Sequence, residues 1–248
     1  MAALSGRPVG RPPRISRQEI VDAAKHIVDR EGVEKLTMRR LARDIGSAPM
    51  ALYYHVRDKR QLLLALLDDI ADEIPRPELP AEPAARIIAA AVTIRDGLLR
   101  FPWAVEVLAD GDLLSTEALW YPEVIIDAAM RSGLDEDQAV HAYRSIWFYT
   151  VGEITVHTAA LRRSREEAST HEEKVFADLD AERTPRLAAL GDRWFTLMPT
   201  DTFRPGLQAL VTGLLNPPSA LSVRGPAACS PIPLGVWPAT PGPVAGWC

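Results

Sequence analysis

LTMRRLARDIGSAPMALYYHVRDK, residues 36–59, decides the fold of this 248-residue chain. Thr37 offers a side-chain acceptor to cap a short helix whose apolar positions are Leu41, Ala42 and Ile45. Gly46 supplies a turn, and Pro49, tolerated in a first helical turn, opens a second short helix through Leu52 to His55. Two short helices joined by a glycine turn, braced by an amphipathic helix before them, make a helix-turn-helix. The bracing helix is equally legible. Ser16 and Glu19 form a capping box, Ile20, Ala23, Ala24, Ile27 and Val28 recur at helical spacing, and Gly32 ends it. Asp58 caps a fourth helix with Leu62, Leu63, Leu66, Leu67 and Ile70 on one broad face, ending before Pro75.

The second helix of such a unit has to enter a major groove, so its outward side chains must be few and suited to base edges and phosphates. Ala48 and Ala51 permit close approach, and Pro49, Met50 and Ala51 suit apolar contact with thymine methyls. Tyr53, Tyr54 and His55 bring hydroxyl and imidazole groups to phosphates. Lys59 adds its charge to the backbone N–H groups of the next helix start. Thr37, at the entry to the first short helix, completes this set. Leu52 and Val56 are expected to face inward, onto Ile45 and Leu62.

Charge supports the same reading. The chain carries a net −5, but residues 1–62 hold 13 Lys/Arg against 7 Asp/Glu, and the remainder 15 against 26. A basic first quarter on an acidic body is expected where one small domain meets phosphates. Residues 1–15 read as a flexible basic arm: Gly6-Arg7-Pro8 and Gly10-Arg11-Pro12 exclude helix, and extended Arg11 and Arg14 suit a narrow minor groove. Cys229 and Cys248 form neither a disulfide framework nor a metal cluster. With no membrane-length apolar run and no apolar signal core, the expected location is cytoplasmic.

Beyond a proline-rich connector at 75–83 every segment reads helical, at about 84–99, 103–109, 115–132, 136–161 and 202–215. Period-two patterning is absent, so the fold class is all-α: a three-helix helix-turn-helix domain at 16–62, then a larger helical domain at 63–216. Residues 162–173 are charged and read as mobile chain or a solvated helix end. From Pro217 to Cys248, proline and glycine with almost no charge predict a disordered tail.

The 36–59 stretch resembles the DNA-binding signature of the tetracycline-repressor (TetR) family. Leu36, Thr37, Arg39, Leu41, Ala42, Gly46, Leu52, Tyr53, His55, Val56 and Lys59 fall where that signature has them. The resemblance is strongest over about residues 17–70. It implies a homodimer that places two recognition helices on a palindromic double-stranded operator, with a C-terminal domain holding a small-molecule pocket and a four-helix dimer interface. It also implies that Arg39 contacts base or phosphate, that Pro49 and Ala51 read bases, and that Tyr53, His55 and Lys59 hold phosphates. Met38 stands where a hydroxyl residue is common, and apolar Pro49 and Met50 replace polar readers, so the operator sequence does not carry over. In the body, Gly133, Leu134, Ala139, Tyr143, Phe148, Thr150 and Gly152 are similar to the long helix of the tetracycline-repressor branch. That branch's magnesium–tetracycline site uses a histidine after the helix near 100–107; this chain has Leu108, Ala109 and Asp110 there, which argues against tetracycline.

Candidate pocket residues are Trp103, Trp120, Trp147, Tyr149, Glu153 and His157, aromatic walls with a few polar groups suiting a small-molecule cavity. The same aromatic residues at helical spacing also suit plain core. Helices 136–161 and 202–215 are expected to pair across a two-fold axis through Ile146, Trp147, Val151, Ile154, Leu207, Leu210, Val211 and Leu214. An enzyme is the contrasting reading. Its five histidines form no metal-spaced pair, and neither a phosphate-binding glycine loop nor a nucleophile elbow is present. No metal and no cofactor are expected. An architectural DNA-binder without a sensor is the third reading; the helical body after Pro75 exceeds what dimerisation needs.

Overall fold

Glu19 N–H donates to Ser16 Oγ at 3.1 Å and Ser16 N–H donates to Glu19 Oε2 at 2.7 Å, closing the capping box that opens α1 (Arg17–Glu31). The helix stops at Gly32, whose φ of +90° suits glycine. The computed structural model describes residues 15–109, 113–163 and 171–216, and every regular element among them is helical. The arm with Arg11 and Arg14, the 164–170 stretch and the tail from residue 217 lie outside the described residues.

Thr37 Oγ1 accepts the Arg40 N–H at 3.1 Å and starts α2 (Met38–Asp44). Gly46, with φ +67°, makes the turn into α3 (Pro49–Leu52). This helix is shorter than expected. The N–H groups of His55 and Val56 both close on Leu52 O at 2.9 Å, so Tyr53–His55 form a turn rather than a further helical stretch. The reason is tertiary: Val56 turns in to full burial, and the chain straightens into Asp58 to cap α4 (Lys59–Glu73). Asp58 Oδ1 accepts the Gln61 N–H at 2.7 Å, while Gln61 Oε1 accepts the Arg57 N–H at 2.6 Å. Ile20, Leu36, Leu41, Leu52 and Leu62 are fully buried between these helices, each worth about 1.5–3 kcal/mol in transfer free energy.

The body comprises α5 (Pro83–Leu99), α6 (Pro102–Ala109), α7 (Trp120–Arg131), the 28-residue α8 (Glu136–Arg163), three short helices α9 (His171–Ala177), α10 (Pro185–Leu190) and α11 (Arg193–Leu197), and α12 (Phe203–Leu215). The expected 115–132 helix divides into a 3-10 turn (Thr116–Ala118) and α7. α5 forms the hub, packed on α7, α8 and α12. A continuous apolar core runs from Ile20 to Val211.

α4 spans the expected boundary at 62/63 without a break, serving both halves. Polar bonds reinforce the joint. Lys25 Nζ donates to Asp69 Oδ2 at 2.9 Å and also to Glu73 Oε1, and it lies over the Phe101 ring. Trp103 Nε1 donates to Asp29 Oδ1 at 2.7 Å, tying α6 to α1. No helix among the described residues is long and apolar enough to cross a membrane.

Candidate nucleic-acid interface and ligand cavity

Thr37, Arg39, Ala48, Pro49, Met50, Tyr53, Tyr54 and His55 are all exposed on one end of the molecule, and Ala51 and Lys59 are half-buried. Met50 is 71% and Tyr54 87% exposed, more than isolated packing would leave for such large side chains. The two arginines at the start of α2 differ sharply. Arg40 donates to Glu31 at 2.7 and 3.1 Å and to Asp44 at 2.7 Å. Arg39 has no ion-pair partner among the described residues, which leaves its guanidinium for a phosphate or base. Thr37 accepts the cap bond through its oxygen and keeps its hydroxyl proton to donate. Lys59 is less free than its sequence position implies: its Nζ donates to Val33 O at 3.1 Å.

Two cations missing from the sequence-derived set are exposed in the same domain. Arg43 is 72% exposed and only loosely tied to Asp44 at 3.4 Å, and the Arg57 side chain is exposed. The signal for Arg43 was available, since it lies four residues after Arg39 and therefore on the same face of α2.

A cavity of about 250 Å³ lies in the body. α4 walls one side with Leu67, Ile70, Ala71 and Ile74, and α5 another with Ile94 and Leu98. Leu108, Leu113, Leu114, Ser115 and Ala118 lead to Tyr121 and Pro122 at the start of α7, and α8 supplies Tyr143 and Trp147. Tyr121 meets Tyr143 edge-on at 6.0 Å between ring centroids and Trp147 at 6.2 Å. Burial holds the Tyr121 and Tyr143 phenols above the usual range, so both stay protonated donors. Ser115 Oγ donates to Asp68 Oδ1 at 2.7 Å.

Of the six expected pocket residues, Trp147 lines this cavity. Trp103 is buried and committed to Asp29, and Trp120 packs half-buried against the edge of Tyr121 at 6.2 Å. Tyr149, Glu153 and His157 gather instead at a charged junction of α5, α8 and α12. There Arg95 donates to Glu153 at 2.7 and 2.9 Å, meets Asp201 at 3.3 Å and stacks over Phe203 at 4.8 Å. Tyr149 Oη donates to Phe203 O at 3.2 Å, lying so close over Gly206 that a Cβ there has no room. His157 Nδ1 is 4.0 Å from Glu153. The walls that sequence reasoning missed, Ile70, Ile74, Leu98 and Tyr121 among them, carry the residue types of ordinary core. Their one signal is that α4 has more apolar positions than a single stripe uses.

Among the described residues no group of His, Cys, Asp and Glu is arranged to hold a metal ion. Residues 20–66 match the family described as bacterial regulatory proteins, tetR family, and residues 76–217 match the tetracyclin repressor-like C-terminal domain. An HTH-type transcriptional regulator of Saccharopolyspora erythraea is 30% identical over 64% of this chain, which spans 66% of that relative. The HTH-type transcriptional repressor DrrR1 of Streptomyces coeruleorubidus is 28% identical over 83% of this chain and 79% of its own. Apo ActR from Streptomyces coelicolor shares the fold, with a TM-score of 0.67 at 23% identity, covering 83% of this chain and 97% of that one. Its reading surface, its helical body and both family matches, the second over more than half its length, make this chain a member of the TetR family of transcriptional regulators.

Proposed function

We propose that this regulator is a homodimeric repressor that reads a palindromic double-stranded operator in the cytoplasm and releases it when a small molecule fills the body cavity. One observation carries the proposal: α4 begins at the DNA-facing surface with Lys59 and ends as a cavity wall at Ile70 and Ile74. A ligand pressing on that wall pushes the same rigid rod that carries the recognition domain.

The homodimer reading rests on the outer faces of α8 and α12. Phe148 and Val156 are 59% and 66% exposed on α8. Gly152 between them, and Gly213 on α12, have nothing within 4 Å of a would-be Cβ. A mid-helix glycine with empty surroundings costs about 0.5–1 kcal/mol against alanine and is explained by close approach of a second chain. Of the residues expected to pair across the two-fold, Ile146, Ile154, Leu207 and Val211 are buried within the protomer, and Trp147, Val151, Leu210 and Leu214 are half-buried against its core. The expected pairing residues thus serve the protomer's own core, and the exposed apolar residues of α8 are Phe148 and Val156 on another face.

Selection of duplexes from random DNA by the full-length protein tests the proposal. The expected product is a palindrome with half-sites about one helical turn or a multiple apart, bound by a dimer. A protein that enriches no duplex over random DNA would end it.

A further inference from the structure

We propose that the cavity takes an uncharged, fused bicyclic aromatic molecule bearing one hydrogen-bonding group that partners the Tyr121 hydroxyl. This rests on the cavity being the effector site.

Three properties of the cavity lead there. Among the described residues its wall contains no Lys, Arg, His, Asp or Glu. A carboxylate or ammonium in such a site loses its hydration and gains no counter-charge, so the ionised form is rejected. Size comes next. A dry cavity of about 150 Å³ holds benzene, so the 250 Å³ here suits roughly one ring more. A wall made of aliphatic Ile70, Ile74 and Leu98 together with aromatic Tyr143 and Trp147 favours an aromatic guest.

The third property is an unmet bond. Tyr121 is 3% exposed, and its Oη has no hydrogen-bond partner. The neighbouring Thr150 hydroxyl spends its proton on Ile146 O at 2.8 Å, so it donates nothing to Tyr121. Buried hydroxyls almost always find a partner, and an orphan in a native interior calls for an explanation. A ligand carbonyl or hydroxyl supplies the missing partner once a small shift of the cavity lining uncovers the Tyr121 oxygen. The free protein then carries the desolvation penalty of that phenol, and the ligand relieves it.

Calorimetric titration of the full-length protein with 2-naphthol, naphthalene, 2-naphthoate and 2-naphthylmethylammonium at neutral pH tests the inference. 2-Naphthol should bind at least about fivefold more tightly than naphthalene, the worth of one net hydrogen bond. Each charged analogue should bind about 100-fold more weakly than 2-naphthol, or worse. In Tyr121→Phe the advantage of 2-naphthol over naphthalene should vanish while naphthalene affinity stays within about twofold. The melting temperature of the ligand-free variant should equal or exceed that of the parent, because no existing bond is removed. Equal affinity for a charged and a neutral probe, no binding of either neutral probe at its solubility limit, or an advantage that survives Tyr121→Phe overturns the inference. The ranking on the unaltered protein decides it even if the variant does not fold. Anisotropy of labelled operator separates the two claims: probes that bind in the expected order but leave the operator bound refute the effector role alone.

Discussion

Arg39 and Arg40 stand side by side in α2, yet Arg40 bridges Glu31 and Asp44 while Arg39 has no ion-pair partner among the described residues. The two substitutions should therefore separate DNA binding from stability. Arg39→Ala is expected to weaken every duplex alike and to make the salt dependence shallower by about 0.9 in slope, one phosphate contact. A preserved slope, measured by anisotropy over a range of salt, would remove Arg39 from the interface. Arg40 acts through protons. Its hydrogen bonds hold the Glu31 and Asp44 carboxyls below their ordinary 4.5 and 3.8. A depressed folded-state pKa gives stability that is complete above the ordinary value and disappears as pH falls through the depressed one. The melting temperature should thus hold down to about pH 5 and drop below it, and Arg40→Ala should shrink the drop. An identical acid-side loss in both proteins would show that other carboxylates carry it. At the charged junction, the Arg95 side chain is 10% exposed and its main partner Glu153 21%. Asp96 and Asp201 are exposed and replace Glu153 only in part, so Glu153→Ala should cost about 2–3 kcal/mol in urea unfolding.

Among the described residues α8 presents exposed Phe148 and Val156, and Gly152 of α8 and Gly213 of α12 have open space beside them, so a charge placed there is a test of assembly. Phe148→Asp should leave the protomer folded, since Phe148 contributes little to the core, and shift light scattering from dimer to monomer at micromolar concentration. A dimer that persists would move the interface elsewhere. How far each element was legible follows from where its stabilising contacts lie. Ser16, Thr37 and Asp58 cap their helices through bonds within three residues, so α1, α2 and α4 stand in the sequence almost as built. The end of α3 did not, because Val56 stops that helix by burying itself against distant residues. α9, α10 and α11 run to only seven, six and five residues, too short for a period to register. The cavity lining is hard to read from sequence for a further reason. Residue type points to Trp103 and Tyr149, whose polar atoms are satisfied at Asp29 and Phe203, whereas the leucines and isoleucines that line the cavity look like any core.

At the scale of the whole molecule, α4 alone among the described elements both opens beside the recognition turn and closes against the cavity, and bonds clamp its far half to both sides. Asp69 and Glu73 hold Lys25 of α1, Asp68 accepts from Ser115, and Arg100 reaches Glu73 at 3.2 Å. Ile74 lies so close to Gly97 on α5 that a Cβ there would collide with it. The end of α4 is therefore wedged, and a ligand that widens the cavity is expected to tilt the helix. A dimer holds operator DNA only while its two recognition surfaces match grooves about 34–36 Å apart. A coupling of about 1–3 kcal/mol between cavity and surface changes operator affinity roughly 5–150-fold. Thermodynamic linkage makes the effect reciprocal, so saturating operator must weaken ligand binding by the same factor. Calorimetry of the ligand with free protein and with the operator complex measures both sides. Equal ligand affinity in the two titrations would show that the cavity and the DNA surface are uncoupled, whatever the cavity binds. Gly97→Ala supplies an independent check on the route. By forcing Ile74 outward it should mimic the ligand, lowering operator affinity in the empty protein and reducing the further loss that ligand causes.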